Sequence, residues 1–213
     1  MSEGYTLYCN QGSGSMIVEA GFGVAGVPVR IVDVADADLG WNSKILNQLN
    51  PLGQAPTLVM PGGAVMTESA AMLLHVNDIA PQAGLVPPPE HPRRTAFLRW
   101  LVFMVSAIYP TFTYGDDPSR WLDGDKAAGA KLRTATDEHR KMLWRYLEGQ
   151  IEGPWCLGET WSALDLYMPP MTFWRPHRAW FQAECPKLLA IGVNMESHSV
   201  YQRVLERNGL LKA

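Results

Sequence analysis

The sequence has 213 residues, of which 47% are hydrophobic and 18% charged, so it can bury a sizeable core in one large domain or two small ones. Its 18 Lys and Arg against 21 Asp and Glu give a formal net charge of -3, without the basic surplus that nucleic-acid or anionic-membrane binding requires. Three scattered cysteines, Cys9, Cys156 and Cys185, have neither CxxC nor zinc-ligand spacing. We therefore expect no disulfide framework, no metal and a reducing compartment, the cytoplasm.

The polar first residues of the sequence predict no signal peptide, and the most apolar helix-length stretch, 97–109, is too short to span a bilayer.

The first 80 residues alternate between strand-like and helix-like patterns. The β-branched run 27–34 is typical of a buried strand, and two short apolar runs flank the turn Pro61-Gly62-Gly63, as in a β-hairpin. In chain order we predict a strand at 5–9, a helix at 16–25, a strand at 27–34, a helix at 42–49, strands at 57–60 and 64–67, and a helix at 69–79. This order predicts a compact α/β domain.

A proline-rich segment, 81–92, separates this part from the rest of the chain. It holds five prolines, which cannot continue a helix, and we predict a linker there between domains at 1–80 and 93–213. Beyond the linker no strand pattern is found. Helices are predicted at 93–109, 126–149, 162–174 and 197–208, with Pro110 ending or kinking the first. The second domain is therefore predicted to be all-helical.

Two glycine-rich stretches resemble nucleotide-binding loops. The stretch Gly21 to Gly26 has G-x-G-x-x-G spacing, but it ends a predicted helix, whereas a dinucleotide loop follows a strand and opens a helix. The stretch Gly12-Ser13-Gly14 has the right location, with Asp33 about 20 residues later. Its third glycine position holds Ile17, and no lysine follows for a phosphate loop. Dinucleotide binding stays a minor alternative.

Four short motifs resemble those of the glutathione transferase family, in its cytosolic type and a serine-type or bacterial class. They are Asn50-Pro51-Leu52-Gly53-Gln54-Ala55-Pro56-Thr57-Leu58, Glu68-Ser69-Ala70-Ala71, Leu157-Gly158 and Ser162-Ala163-Leu164-Asp165. Their order and spacing cover essentially the whole chain. The resemblance implies a thioredoxin-like N-terminal domain, an all-α C-terminal domain, a homodimer, glutathione as co-substrate and the detoxification of small electrophiles.

The first of these motifs implies a binding edge for the peptide backbone of glutathione. In the family the bond that corresponds to Ala55–Pro56 is cis, and an extended tripeptide adds to the chain at Ala55 through main-chain hydrogen bonds. An ordinary trans proline at the start of a strand is the alternative. Gln54 would hydrogen-bond the ligand backbone, and Trp41 and Lys44 are weaker candidates for holding the glycyl carboxylate.

The second motif implies a site for the γ-glutamyl end of glutathione, which carries both a carboxylate and an ammonium group. Free N–H groups at the start of the helix at 69–79, together with the Ser69 hydroxyl, suit the carboxylate. Glu68 suits the ammonium group. A plain helix cap is the structural alternative.

The resemblance places the thiol-activating residue at the start of the first helix. Ser13 falls on the catalytic serine of the serine-type classes, and Gly14 stands where the bacterial classes have cysteine. A hydroxyl hydrogen bond to a charged sulfur contributes about 1.5–3 kcal/mol and a helix N-terminus about 0.3–1 kcal/mol, enough to lower a thiol pKa by about two units. Ser13 is the predicted catalytic residue. Tyr8, Cys9 and Ser15 remain alternatives, as does a simple N-cap role for Ser13.

Aromatic residues in the helical part predict the pocket for the second substrate. Tyr109 precedes the Pro110 break, and Trp174 lies late in a later helix. Aromatic residues beside a kinked helix can line an apolar cleft, although they more often belong to a core.

Ser162 and Asp165 form an S-x-x-D capping box, a structural motif. The sequence thus predicts a glutathione transferase that activates glutathione as a thiolate for attack on an electrophilic, largely apolar acceptor. The alternative is a non-catalytic binding or interaction protein with the same fold.

Overall fold

The structure, a computed structural model, describes residues 4–40 and 43–211. Its N-terminal part holds a sheet with strand order β2-β1-β3-β4, in which β1 runs parallel to β2 and antiparallel to β3, and β3 runs antiparallel to β4. The strands are β1 (Tyr5–Cys9), β2 (Val29–Asp33), β3 (Thr57–Val59) and β4 (Val65–Met66). Each predicted strand is present, and β1 has the predicted bounds.

Two helices accompany this sheet. Helix α1 (Ser15–Ala25) packs against β1, β2 and α2 (Ser69–Ile79). The apolar side chains of α1 are buried over most of its length, because the helix lies between the sheet and the helical part of the molecule. The predicted α/β character of the N-terminal part is confirmed.

The helix predicted at 42–49 is wrong for the described residues of that segment, which form successive turns. The Ser43 hydroxyl accepts a hydrogen bond from the Leu46 N–H (2.9 Å), and the Asn50 side-chain oxygen accepts one from the Leu52 N–H (3.1 Å). Serine and asparagine side chains compete with the backbone for such hydrogen bonds and favour turns. Trp41, one of the weaker candidates for a ligand contact, lies outside the described residues.

The C-terminal part of the described chain is helical. Its elements are α3 (Arg94–Phe103), a π-helical segment (Met104–Ile108), α4 (Tyr109–Asp116), α5 (Lys126–Glu148), α6 (Met168–Phe173), α7 (Arg178–Glu184), α8 (Pro186–Glu196) and α9 (Ser199–Arg207). Helices α7 and α8 are not predicted from the sequence. Pro186 interrupts the helical pattern there, yet it stands at the first position of α8, where its missing N–H removes no hydrogen bond.

The helix that begins at Arg94 does not end at Pro110. The chain passes from α3 through the wider π-helical turn into α4, with Pro110 in the first turn of α4. The stretch Arg94–Asp116 has 23 residues and contains an 18-residue window with a mean hydropathy of 1.3. By length and composition it could therefore cross a membrane, which corrects the prediction made from 97–109. Phe97 and Ile108, on its inner side, belong to the hydrophobic core. Core helices of globular domains meet the same criteria of length and composition.

The predicted capping box orders the chain before α6. The buried Asp165 carboxylate accepts hydrogen bonds from the backbone N–H groups of Cys156 and Ser162, both at 2.7 Å. The Ser162 hydroxyl accepts from the Leu164 N–H at 3.3 Å. The helix therefore begins with the 3-10 turn Asp165–Tyr167 rather than at residue 162.

The last helix, α9, joins the two parts of the molecule. Arg207 at its end forms ion pairs with Glu19 of α1 and with Asp33 at the end of β2. Gly23 of α1 faces α9 so closely that a Cβ atom there would lie 2.6 Å from a methyl group of Val200. This glycine of the G-x-G-x-x-G stretch thus serves helix packing.

Candidate functional site

Three segments that carry predicted site residues meet at one end of the sheet. Tyr8 of β1 pairs with Thr57 of β3, and Leu58 pairs with Met66 of β4. Because β3 is antiparallel to both neighbours, the end of β1, the start of β3 and the end of β4 lie at the same end of the sheet. The turn that follows β1, the loop before β3 and the start of α2 are therefore neighbours.

The turn between β1 and α1 is held from the helical part of the molecule. Gly12 adopts a positive φ of 73°, which glycine reaches without strain. Its N–H donates to the Asn208 side-chain oxygen (3.1 Å), and its carbonyl accepts from the Trp174 indole N–H (3.0 Å). Residues after α6 and α9 thus position the turn that carries Ser13.

The Ser13 hydroxyl is engaged within its own turn. It donates to the Asn10 carbonyl (2.7 Å) and accepts from the Ser15 N–H (3.2 Å). The Ser15 hydroxyl lies 3.0 Å from it and contacts the same carbonyl. A hydroxyl has one proton, so Ser13 must rotate away from Asn10 before it can donate to a bound sulfur.

The alternatives to Ser13 lie in different surroundings. Cys9 and Ser15 have no exposed surface, and burial, followed by the Glu19 carboxylate, raises the pKa of Cys9 to about 12. Tyr8 lies within β1, half-buried. Ser13 is thus more accessible than Cys9 or Ser15.

Tyr109 and Trp174, the residues predicted for the acceptor pocket, reach the same turn. Their ring centroids are 6.1 Å apart, and Phe112 lies 5.4 Å from Trp174. The Tyr109 hydroxyl lies 2.3 Å from the point that a Cβ atom on Gly14 would occupy. These aromatic rings fill the space beside the turn, so their role as a pocket for an acceptor stays a prediction.

Two open cavities lie elsewhere on the described part of the chain. One of about 310 Å³ runs along α5 beside Arg175 and His177, and one of about 440 Å³ lies beside Trp155 and Trp161. Neither includes a predicted site residue.

The loop before β3 is organised by Asn50. Its side-chain amide donates to the Gln54 carbonyl (3.1 Å) and to the Thr57 hydroxyl (2.9 Å). The Ala55–Pro56 bond is cis, as the resemblance implies. Within residues 4–40 and 43–211, the backbone N–H and carbonyl of Ala55 form no hydrogen bond, so both are available to a ligand. The Gln54 side chain is exposed, as is Lys44.

The start of α2 has the features that an anionic ligand group requires. Glu68, which is exposed, precedes the helix with a φ of 67°. Among the described residues no side chain caps this helix terminus, so its first N–H groups remain without helical partners. The Ser69 hydroxyl lies 3.1 Å from the Tyr167 hydroxyl. Burial raises the pKa of Tyr167, and that phenol therefore stays neutral.

Sequence reasoning missed the residues that support this site from a distance. Asn208 and Tyr167 contact the turn and α2 although they lie 196 and 98 positions away in the chain. No local pattern marks either residue, because each contact depends on the packing of the two parts of the molecule. In the two described stretches, no group of three His, Cys, Asp or Glu side chains could hold a metal ion.

The three cysteines are expected to be unreactive in the folded protein. All are free and buried, and burial raises the pKa of Cys9 and of Cys185 to about 12 and that of Cys156 well above its usual range. A thiol with that pKa is ionised in about one molecule in ten thousand at pH 8. Ellman's reagent at pH 8 should therefore label no thiol in the native protein and three after denaturation in guanidinium. Rapid labelling of one native thiol would contradict this burial.

Comparisons with known proteins agree with the fold and the motifs. Residues 19–79 match the family "Glutathione S-transferase, N-terminal domain". An uncharacterized GST-like protein of Escherichia coli K12, YncG, is 36% identical over 96% of this chain and 98% of its own length. The glutathione S-transferase GST-4.5 of Xanthomonas campestris is 29% identical over 57% of this chain and 59% of its own length.

A solved structure gives the same result for the fold. A glutathione transferase homolog from Sulfitobacter, determined with bound glutathione, superimposes with a TM-score of 0.83 at 25% identity, covering 99% of this chain and 100% of that one. The thioredoxin-like domain followed by an all-α domain is thereby confirmed. The chain belongs to the glutathione S-transferase family.

Proposed function

We propose that this protein is a glutathione transferase that binds glutathione at the edge formed by the β1–α1 turn, the loop before β3 and the start of α2. The observation that carries the proposal is the convergence of these three segments at one edge, with the Ala55 backbone and the α2 N-terminus unpaired in the described chain. The glutathione bound to the Sulfitobacter homolog supports it. The acceptor would be a small electrophile of largely apolar character.

Each segment has its own part in the proposed binding. An extended tripeptide would pair with the free backbone groups of Ala55, while the nearby Gln54 side chain contacts the ligand backbone. The N–H groups at the start of α2 and the Ser69 hydroxyl would hold the γ-glutamyl carboxylate. Glu68 would pair with the ammonium group beside it.

The remaining step is the activation of the thiol. Ser13 would rotate from the Asn10 carbonyl and donate to the sulfur, and the N-terminus of α1 would add its positive partial charge. The thiol proton leaves to solvent and the thiolate attacks the acceptor. We assign the acceptor side of the site to Tyr109 and Trp174.

The proposal includes a homodimer, a cytoplasmic location and a role in detoxification. Four exposed apolar side chains support self-association: Leu98 and Val102, one turn apart on α3, and Met142 and Tyr146, one turn apart on α5. Arg99 donates a hydrogen bond to the Tyr146 hydroxyl, so these two helices present neighbouring surfaces. The three free cysteines are consistent with a reducing compartment.

Glutathione binding and turnover test the proposal with two variants. The wild-type chain should be retained on immobilised glutathione and should conjugate chlorodinitrobenzene. Glu68→Gln removes one charge pair and should weaken glutathione affinity about tenfold in titration calorimetry, whereas Ser13→Ala should lower turnover with nearly unchanged affinity. Glu90→Gln, also exposed but remote from the three segments in sequence, is the control. Failure of the wild type to bind glutathione would defeat the proposal.

A non-catalytic member of the family is the second candidate. The observation that favours it is the Ser13 hydroxyl's donation to Asn10 rather than into the site. Retention on glutathione without conjugation of any electrophile would support this candidate over the first.

A further inference from the structure

We propose that the Tyr109 hydroxyl donates a hydrogen bond to the sulfur of bound glutathione. This hydroxyl lies in the space that a side chain at residue 14 would otherwise occupy. This inference rests on the proposed function and adds a catalytic residue from the helical domain to the same site. The phenol keeps its proton, and the thiol releases its own proton to solvent. Tyr109 then acts beside Ser13, or in its place.

The position of the hydroxyl is the first argument. A Cβ atom on Gly14 would lie 2.3 Å from the Tyr109 oxygen and 3.2 Å from the carbon that carries it. Gly14 immediately precedes α1, so the hydroxyl lies at the helix terminus where an anion is favoured. The glycine at 14 and the tyrosine at 109 are therefore complementary, since a larger residue at 14 would collide with the phenol.

The Tyr109 hydroxyl also has no hydrogen-bond partner in the described part of the chain. Within the described residues the Tyr109 oxygen is buried and forms no hydrogen bond, although buried phenols usually find one. By contrast, the Ser13 proton is used within its turn. A thiolate accepting from Tyr109 would satisfy the unpaired donor.

The backbone directly before Tyr109 forms a π-helical turn. The π-helical segment Met104–Ile108 ends at the residue before it, and single π-helical turns inside helices occur frequently at functional sites. The wider turn changes the angle at which the following residues leave the helix axis. Tyr109 follows this segment directly and its hydroxyl reaches Gly14 of the β1–α1 turn, while the ring packs edge-on against Phe112 and Trp174.

The surroundings keep the phenol protonated. Burial raises the pKa of Tyr109 well above its usual range, and the titratable group that adds to this is Tyr167. Tyr201, whose own pKa is raised by burial and by Tyr109, is a further neutral neighbour. The hydroxyl is covered in the ligand-free chain, so the ring or the Gly12–Gly14 turn must shift to admit the sulfur.

The decisive measurement is the pKa of the bound glutathione thiol, followed by the ultraviolet difference absorbance of the thiolate. Tyr109→Phe should raise that pKa by about one unit, a tenfold loss of thiolate near neutral pH, with little change in glutathione affinity. Tyr114→Phe is the control, because Tyr114 is an exposed tyrosine of the same helix and its ring packs edge-on against Trp121. It should leave the thiol pKa unchanged.

A second variant separates catalysis from packing. Gly14→Ala places a methyl group against the hydroxyl and should raise the thiol pKa as Tyr109→Phe does, and the double variant should show no further rise. Because Tyr109→Phe deletes an unpaired buried hydroxyl, the ligand-free variant should melt at the same temperature as the wild type or higher. A lower melting temperature would indicate a structural role and count against the inference.

The outcomes distinguish this inference from the function on which it rests. If the wild type binds no glutathione, the proposed function fails and this inference fails with it. If glutathione binds and its thiol pKa is the same in the wild type and in Tyr109→Phe, the inference alone is overturned and Ser13 is the donor.

Discussion

Replacing Arg140 with alanine is expected to lower the free energy of unfolding by about 3–5 kcal/mol. Arg140 has no exposed surface, although it is charged, and burial lowers its pKa. Its guanidinium donates to the Thr111 hydroxyl (2.8 Å), to the Thr111 carbonyl (2.9 Å) and to the Arg175 carbonyl (3.2 Å). It also pairs with Asp137 (3.1 Å) and lies 3.8 Å from the Phe112 ring centroid.

The cost arises because several acceptors lose their donor together. The two carbonyls would lose this donor, Asp137 would keep only the longer ion pair with Arg175 (3.5 Å), and the missing side chain would leave a cavity between α4 and α5. Arg140→Lys should lower the free energy of unfolding by less than Arg140→Ala does, because lysine keeps the positive charge although it lacks the planar guanidinium group with its several donors.

Urea denaturation followed by tryptophan fluorescence measures the effect. Lys131→Ala, an exposed residue of the same helix, is the control and should stay within about 0.5 kcal/mol of the wild type. A loss below about 1 kcal/mol for Arg140→Ala would mean that water replaces the guanidinium and that the site is more open than the structure indicates.

The stability of the protein is expected to fall steeply above pH 9 because of its buried thiols. Cys9 and Cys185 have no exposed surface and a pKa raised to about 12, whereas an unfolded thiol titrates near about 8.5. Between these values the unfolded state loses the proton that the folded state keeps, so the stabilisation is complete below the unfolded pKa and is lost as pH rises towards the folded pKa.

The size of this effect follows from the number of thiols. Each contributes about 1.36 kcal/mol per pH unit, so Cys9 and Cys185 together should lower the unfolding free energy by on the order of 5 kcal/mol from pH 9 to pH 11. Cys156 and the buried tyrosines act in the same direction.

Denaturation curves in reductant at pH 7, 9, 10 and 11 provide the measurement. Cys185→Ala should reduce the slope of stability against pH by about 1.36 kcal/mol per unit, whatever its effect at pH 7. An unchanged slope in this variant would show that Cys185 is already accessible to water in the folded protein.

Much of the fold is predictable because local patterns and packing agree. The strand Tyr5–Cys9 and the helix Ser69–Ile79 have the predicted bounds, since their apolar residues repeat with the period of each element. The helix predicted at 42–49 fails because serine and asparagine side chains form turns instead. Helices α7 and α8 are missed because Pro186 marks a helix start as well as a helix end.

The site is predictable only where residues adjacent in the chain form it. The loop with Gln54 and Ala55 and the start of α2 follow from contiguous motifs, and their binding roles stay predictions. The contact of Tyr109 with Gly14 joins residues 95 positions apart, and its only sequence signal is the pairing of a glycine at 14 with an aromatic residue at 109. The π-helical turn directly before Tyr109 has no signature in the sequence.

The hydrogen bond from Gly12 to Asn208 has a consequence for synthesis of the protein on the ribosome. Proteins emerge N-terminus first and domains tend to fold as they appear, so the α/β domain can form its sheet long before α9 exists. The turn that carries Ser13 nevertheless lacks one of its two anchors, Asn208, until residue 208 has left the exit tunnel. Nascent chains that end before α9 should therefore contain a folded sheet but an unfinished candidate site.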